Sequence, residues 1–310
     1  MGTVDTSTPV IEVDDFSMRF GDRTVVDRLS FHVQPGETFG LLGANGSGKT
    51  TTIRALLGIH PPTTGRLLVH GAPFDPAADY SLGYLPEERG LYRREKVLDV
   101  MTHFGRLKGM HRDRATLWSL AFLERVGLAD KGNARLTTLS GGEQQKVQLG
   151  VTIMDNPSLL ILDEPTKGFD PVNRRLLLDL VDAHRAAGAT VVIITHQMDE
   201  VERLCDRVLL LKDGKAEAYG TVAEVQDAHG TGIVRLHFGG VLPEPRGWRP
   251  VIVERNYAEI ELSPGTDAQA LLRHLVDAGV EVRSFDAART SMEQVFLTIY
   301  GTSTGEGAAA

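Results

Sequence analysis

The eight residues GANGSGKT, at positions 43–50, constrain the fold of this chain more than any other segment. They match the pattern of a phosphate-binding loop, with Gly43, Gly48, Lys49 and Thr50 at the required spacing. Glycines let backbone amides turn around phosphate groups, the lysine can reach the β and γ oxygens, and the threonine hydroxyl can bind Mg²⁺. The loop therefore predicts a nucleoside triphosphate as the ligand.

The residues around this loop predict an α/β fold. From residue 10 to about residue 217, short apolar runs such as TFGLLG and TVVIIT alternate with helical stretches such as RRLLLDLVDAHRAAG. This alternation is typical of a largely parallel sheet covered by helices. Residues 96–150 interrupt it with a mostly helical block. We therefore expect a P-loop NTPase fold with an inserted helical subdomain.

The last third of the chain has a different pattern. Residues 218–230 fit a linker helix, and residues 231–301 combine short β-rich runs with two helical stretches. That combination predicts a separate, small α+β domain. The final segment, residues 302–310, has the composition of a disordered tail.

Composition limits the partners and the location that we expect. The formal net charge of −8 argues against a nucleic-acid backbone as the main partner, because such binding needs a basic excess to release counterions. No apolar run approaches the roughly 18 residues needed to cross a bilayer. The first ten residues also lack the basic and apolar regions of a secretory signal. We expect a cytoplasmic chain with no nucleic-acid partner.

Two acidic residues end the apolar run LLILDEP at positions 159–165. Asp163 can hold a magnesium ion through water, and Glu164 can polarise a water that attacks the nucleotide. The alternative interpretation is a buried strand whose end charges are simply solvated. A phosphate loop elsewhere in the chain favours the functional one.

A second segment, LTTLSGGEQQKVQL, also has the features of an anion site. Ser140, Gly141 and Gly142 open an apparent helix, where a hydroxyl and free amides can bind an anion. The alternative is an ordinary capped helix start. A chain with two anion sites of this kind needs an explanation.

The three motifs occur in the order GANGSGKT, LSGGEQ, LLILDEP, and His196 follows the next apolar run in VVIITHQ. Over residues 10–217 this arrangement resembles the nucleotide-binding subunit of ATP-binding cassette (ABC) transporters. The resemblance implies that two cassettes pair head to tail. Ser140, Gly141, Gly142 and Glu143 of one chain would then face the nucleotide bound by the other, which would explain the two anion sites.

The resemblance also implies roles for individual residues. Phe20 would stack on adenine, Glu164 would be the general base, and His196 would contact the γ-phosphate, although a lone Phe or a strand-end His can also be simply packed or solvated. Asp170 would lie in the loop that links the two sites, where Lys167 and Phe169 replace the usual Ser and Leu. The ATP-binding residues would be Phe20, Gly43, Asn45, Gly46, Ser47, Gly48, Lys49, Thr50 and Thr51. Lys49 would also be catalytic, and Thr50, Glu87 and Asp163 would serve magnesium.

The segment YLPEERGLY, residues 84–92, carries Glu87 where the family usually has Gln. A carboxylate facing a polyanionic nucleotide either engages the metal or turns toward a cation. Arg89, Arg93 and Arg94 are close enough in sequence to provide one.

This segment also indicates a subfamily. Together with EQQKV and a last domain that ends in SMEQVF, it resembles a branch of bacterial exporters that includes sodium-extrusion and drug-resistance ATPases. The last domain could be a packing appendage that helps two chains pair, or a regulatory ligand site.

The resemblance implies an ATP hydrolase with ATP and Mg²⁺ as cofactors. As a homodimer or paired cassette, it would drive export through a separate integral membrane permease, lying peripherally on the inner face of the cell membrane. Two alternatives stay open: a soluble cassette ATPase acting on ribosomes or DNA, and the ATPase of an importer.

Overall fold

The computed structural model describes residues 8–76, 78, 81–88, 90–92, 94–229, 233–263, 266–287 and 290–301. The expected disordered tail at 302–310, and also Arg89 and Arg93, lie outside these described residues. The chain divides into two compact units, with the boundary between Tyr219 and Gly220.

A six-stranded sheet forms the centre of the first unit, in the order β5-β6-β7-β3-β8-β9. Neighbouring strands from β5 to β8 are parallel. The strands β3, β6 and β7 are buried at every position, as expected for apolar runs covered on both faces. The strands are β3 (Thr38–Leu42), β5 (Leu82–Leu85), β6 (Leu159–Asp163), β7 (Thr190–Thr195), β8 (Arg207–Lys212) and β9 (Lys215–Thr221).

A second, three-stranded antiparallel sheet in the order β2-β1-β4 completes the first unit. Its strands are β1 (Ile11–Phe20), β2 (Arg23–Val33) and β4 (Thr64–Val69). Phe16 of β1 and Leu41 of β3 belong to one buried cluster, so the two sheets share a core.

The described residues of the same unit form the α-helices α1 (Lys49–Leu56), α2 (Val97–Leu107), α3 (Arg112–Arg125), α4 (Gly141–Ile153), α5 (Pro171–Ala186) and α6 (Met198–Leu204). Helices α2, α3 and α4 form the helical block that the sequence predicts over residues 96–150. They pack closely, because a Cβ atom at Gly150 would lie 2.4 Å from Phe122 and 2.9 Å from Met101. Only glycine allows α4 to approach the other two helices in this way.

The second unit contains a four-stranded sheet in the order β11-β12-β10-β13, with every pair antiparallel. Its strands are β10 (Ile233–Gly239), β11 (Trp248–Val253), β12 (Tyr257–Leu262) and β13 (Glu281–Asp286), and its helices are α7 (Val222–His229), α8 (Ala268–Asp277) and α9 (Met292–Gly301). Leu236 and Ile260 of the sheet and Leu271 and Leu275 of α8 form its core. Alternate residues of β10 are buried, which is typical of a sheet with one covered face.

The linker helix expected over residues 218–230 starts later than the sequence analysis placed it. Strand β9 continues through Thr221, and α7 begins at Val222. Thr221 and Glu224 fix this start, because the Thr221 N–H donates to Glu224 Oε2 over 2.8 Å and the Glu224 N–H donates to Thr221 Oγ1 over 3.1 Å. This reciprocal arrangement is a helix-capping box.

Within the described ranges, no helix combines the length and the apolar character that a membrane crossing requires.

Candidate nucleotide-binding site

The phosphate loop, residues 43–50, connects the end of β3 to the start of α1. Gly46 and Gly48 adopt left-handed backbone conformations, with φ angles of 82° and 108°. A Cβ atom at Gly48 would lie 3.0 Å from the carbonyl oxygen of Val25 and 3.0 Å from Val26 of β2. Position 48 therefore requires glycine both for its backbone conformation and for its approach to β2.

Lys49 lies across this loop. Its side chain is buried, and Nζ donates to the carbonyl oxygens of Gly43 and Ala44 over 2.7 and 3.0 Å. Burial lowers the pKa of Lys49, and the carboxylates of Glu164, Asp163 and Glu87 act in the opposite direction. The loop thus holds a cation among three acids.

Asp163 ends β6 and is almost fully buried, with 1% of its surface exposed. Its Oδ2 accepts a hydrogen bond from the Thr50 hydroxyl over 3.3 Å. Burial, followed by the charge of Glu87, raises the pKa of Asp163 to about 6. Its Oδ1 has no hydrogen-bond partner within the described ranges. A buried carboxylate with an oxygen that lacks a hydrogen-bond partner is suited to bind a cation.

Glu164 follows directly and has an uncommon backbone conformation, with φ at 49°. Its N–H donates to the carbonyl oxygen of Ile194 over 2.8 Å, which fixes this conformation. Its Oε1 lies 2.8 Å from Nδ1 of His196, and its Oε2 is buried without a hydrogen-bond partner among the described residues. The structure therefore brings the predicted base into contact with His196, the residue predicted to contact the γ-phosphate.

A pocket of about 420 Å³ lies over the phosphate loop. It is lined by Phe20, Arg23, Val25, Asn45, Gly46, Gly48, Lys49, Thr50, Thr51, Glu87, Asp163 and Glu164. Phe20 is half exposed at the end of β1 and contacts His60 edge-on, with 5.7 Å between the ring centres. Arg23 and Val25 were not predicted as site residues, and their only sequence signal is closeness to Phe20 along the chain.

Ser47 and Gly43, two of the predicted ATP-binding residues, form hydrogen bonds within the loop through their backbone atoms. The Ser47 N–H donates to the Ala44 carbonyl oxygen over 3.2 Å. The Gly43 carbonyl oxygen accepts from Lys49. Neither residue is among those that line the pocket in the described part of the chain.

Glu87 forms an ion pair that the sequence does not indicate. Its Oε1 lies 2.6 Å from Nζ of Lys167, and this hydrogen bond raises the pKa of Lys167. The sequence pointed instead to the nearby Arg89, Arg93 and Arg94. Lys167 reaches Glu87 because β5 and β6 are parallel neighbours, so the segments that follow them leave the same edge of the sheet.

Ser140 caps helix α4. Its Oγ accepts from the Glu143 N–H over 3.3 Å, and Glu143 Oε2 accepts from the Ser140 N–H over 2.7 Å. The latter bond lowers the pKa of Glu143. Among the described residues, none of the signature segment, residues 140–143, lines the pocket over the phosphate loop. The two predicted anion sites of one chain are therefore separate.

Gln145 and Gln148, two of the buried glutamines of α4, were not predicted as site residues. Gln148 Nε2 donates to the carbonyl oxygens of Pro86 and Glu88 over 3.4 and 3.2 Å. Gln145 Nε2 donates to the carbonyl oxygen of Pro165 over 3.4 Å. One helix thus holds the backbone on both sides of Glu87 and next to Glu164. Polar side chains within a buried helix are the signal that could have identified them.

Asp170 caps helix α5. Its Oδ1 accepts from the N–H groups of Val172 and Asn173, each over 2.9 Å, and the Asn173 N–H is the main cause of its lowered pKa. The neighbouring Phe169 lies against the signature segment, since a Cβ atom at Gly142 would be 3.7 Å from its ring. The predicted inter-site loop therefore contacts helix α4 within one chain.

The parallel sheet with a phosphate loop at the end of β3, together with the acids at the end of β6, defines a P-loop nucleoside triphosphatase. A model of the ABC transporter family matches residues 26–167. A second model, described as the C-terminal domain of DrrA1-3-like ATP-binding proteins, matches residues 220–300.

Individual proteins extend this similarity to nearly the whole chain. The Nod factor export ATP-binding protein I of Paraburkholderia xenovorans (strain LB400) is 35% identical over 302 residues, which are 94% of this chain and 97% of that protein. The linearmycin resistance ATP-binding protein LnrL of Bacillus subtilis (strain 168) is 29% identical over 306 residues, covering 94% and 98%.

A solved structure of the ATP-binding subunit of an ABC transporter superposes with a TM-score of 0.66 at 27% identity, covering 71% of this chain and 92% of that one. The chain belongs to the family of ABC transporter ATP-binding proteins, which bind ATP and hydrolyse it to power transport. The predicted family and fold class are confirmed.

Proposed function

We propose that this chain is the ATP-hydrolysing subunit of an exporter, acting as a head-to-tail dimer on the inner face of the cell membrane. It would drive a separate integral membrane permease. One observation carries the proposal: Lys49, Asp163 and Glu164 line one pocket, whereas the signature segment, residues 140–143, lies outside it within the described chain. The direction of transport is inferred from the relatives named for Nod factor export and linearmycin resistance.

The residues present fit a magnesium ion. Magnesium prefers oxygen ligands, and Asp163 Oδ1 is a buried oxygen without a partner in the described part of the chain. The Thr50 hydroxyl lies 3.3 Å from Asp163. We assign Thr50, Glu87 and Asp163, the last through water, to the metal. When bound, magnesium neutralises charge on the nucleotide phosphates.

The chain's own groups would perform the remaining chemistry. Phe20 binds the adenine ring, and the Lys49 ammonium exchanges its loop carbonyls for phosphate oxygens. Glu164 Oε2 accepts a proton from the water that attacks the γ-phosphorus in line, while His196 fixes the orientation of that carboxylate. A positioned general base of this kind contributes roughly 10²- to 10⁴-fold to the rate, and positioned charges supply much of the rest.

The partner chain would complete the site with its signature segment. The first N–H groups of a helix have no partner within the helix, and in α4 the Ser140 hydroxyl accepts from Glu143. The amides of Gly141 and Gly142 are then the groups available to phosphate at a helix start.

Mixing two inactive variants tests this arrangement. Lys49→Ala removes the phosphate contact, and Gly142→Asp places a like charge in the signature segment. Each site of a head-to-tail dimer combines the phosphate loop of one chain with the signature segment of the other, which we call a composite site. In a dimer of the two variants, both changes fall in one composite site and the other site is intact. An equal mixture should therefore recover roughly a quarter of the wild-type ATPase rate, since half of the dimers are mixed and each has one working site.

The control pairs Lys49→Ala with Glu164→Gln. These residues serve the same half of the site, so each composite site in a mixed dimer contains one lesion and no activity should return. Failure of the first mixture to recover activity, with each variant folded and the wild type active, would refute the head-to-tail arrangement. Absence of ATP hydrolysis by the wild type, both alone and in purified membranes, would refute the function itself.

A further inference from the structure

The ion pair between Glu87 and Lys167 joins the segments that follow the neighbouring parallel strands β5 and β6. The 2.6 Å contact links Glu87 Oε1 with Lys167 Nζ, and both side chains are partly exposed. It is a contact between side chains that are 80 residues apart in the chain.

Both partners have fixed backbones. Gln148 donates to the carbonyl oxygens on either side of Glu87, at Pro86 and Glu88. The Lys167 N–H donates to the Glu164 carbonyl oxygen over 3.1 Å, so Lys167 lies in the turn directly after the predicted base. The pair is therefore a defined contact between two anchored segments.

The same carboxylate also faces the nucleotide pocket. Glu87 lines it together with Asp163 and Glu164, so three acids converge on the region assigned to magnesium. A carboxylate that is bonded to an ammonium group attracts a second cation less strongly than a free carboxylate does. Lys167 thus competes with the metal for Glu87.

We propose that Lys167 is a positioning residue that controls how strongly Glu87 serves magnesium, so that metal-bound ATP must draw Glu87 away from Lys167. This inference rests on the proposed magnesium–ATP site.

The experiment measures ATP affinity rather than turnover. A fluorescent ATP analogue is titrated into the full chain, once with Mg²⁺ and once with EDTA. The affinity with Mg²⁺ divided by the affinity with EDTA reports the contribution of the metal. The variants are Lys167→Ser, Glu87→Gln and the double variant. Lys131→Ser is the matched control, because it removes another partly exposed lysine that pairs with an acid, Asp130, at 3.5 Å.

Lys167→Ser should raise this ratio by about two- to fivefold, the range expected for an exposed ion pair. In the Glu87→Gln background the same change should leave the ratio unaltered. An unchanged ratio in Lys167→Ser, or an equal rise in both backgrounds, would overturn the role of Lys167 while leaving the ATP site in place. A wild-type chain that binds ATP equally with Mg²⁺ and with EDTA would overturn the magnesium site and this inference with it.

Discussion

The Nδ1 atom of His196 lies 2.8 Å from Oε1 of Glu164, although 32 residues separate them in the chain. The contact forms because Glu164 follows β6 and His196 follows β7, and these strands are parallel neighbours. Holding Oε1 in this way leaves Oε2 as the oxygen that can accept a proton. The histidine is thus placed to orient the predicted base.

We expect Glu164→Gln to bind ATP but to hydrolyse it at least about 100-fold more slowly, because the amide cannot accept a proton from water. The amide retains the shape of the side chain and an oxygen that can accept from His196. Phosphate release and nucleotide binding, measured on the same preparation, check both parts. Glu217→Gln, an exposed change on β9, is the control. Turnover near the wild-type rate would rule out Glu164 as the base.

The buried carboxylate of Asp163 should make the protein less stable at neutral pH. Its folded pKa of about 6 exceeds the unfolded value of 3.8, so the folded state holds the proton more tightly. The contribution of Asp163 to the free energy of unfolding therefore falls as pH rises from 3.8 to about 6. Asp163→Asn removes this loss and should stabilise the ligand-free chain at pH 7 by about 1 to 3 kcal/mol, while abolishing hydrolysis.

Chemical denaturation without nucleotide at pH 7 measures this effect, with the exposed Asp113→Asn as a control. A less stable Asp163→Asn variant would show that the carboxylate makes favourable contacts in the folded chain. Magnesium–ATP should stabilise the wild type more than the variant, since only the wild type offers the carboxylate to the metal.

The contiguous parts of the site could be predicted from the sequence, whereas the contacts between distant segments could not. Lys49, Asp163 and Ser140 lie in short motifs whose spacing specifies their local structure. The Glu87–Lys167 pair depends on β5 lying beside β6. The sequence alone instead indicated the three nearby arginines as partners of Glu87. The antiparallel β2-β1-β4 sheet was missed for the same reason, because strand partners depend on long-range packing that a local pattern does not encode.

Lys108 should make stability rise with pH in the alkaline range. Its ammonium donates to the carbonyl oxygens of Thr152 and Met154 at the end of α4, over 2.8 and 3.1 Å. Burial lowers its folded pKa from 10.5 to about 8, so the folded state releases the proton first. Its contribution to the free energy of unfolding therefore increases between about pH 8 and 10.5, by up to about 3 kcal/mol.

Urea denaturation at pH 7.5 and pH 10 tests this expectation. The wild type should gain stability relative to Lys108→Met between the two values, because only the wild type carries the titrating group. The wild type should show no such gain relative to Lys131→Met, because that control keeps Lys108 and loses only a lysine whose side chain is partly exposed. Parallel behaviour of the wild type and Lys108→Met would mean that the ammonium stays charged up to the higher pH.

Asp170 caps helix α5 and also has a predicted role between the two nucleotide sites. Two substitutions distinguish the cap from the predicted role. Asp170→Ala removes the cap on α5 and should lower the free energy of unfolding, which denaturation with urea measures. Asp170→Asn keeps a capping oxygen for Val172 and Asn173 and should cost much less stability, because asparagine is an equally good cap. If the charge also serves communication between sites, both variants should lose ATPase activity in the assembled dimer. Wild-type ATPase activity in Asp170→Asn would show that the charge of Asp170 has no role between the two sites, and that the residue acts only as the cap of α5.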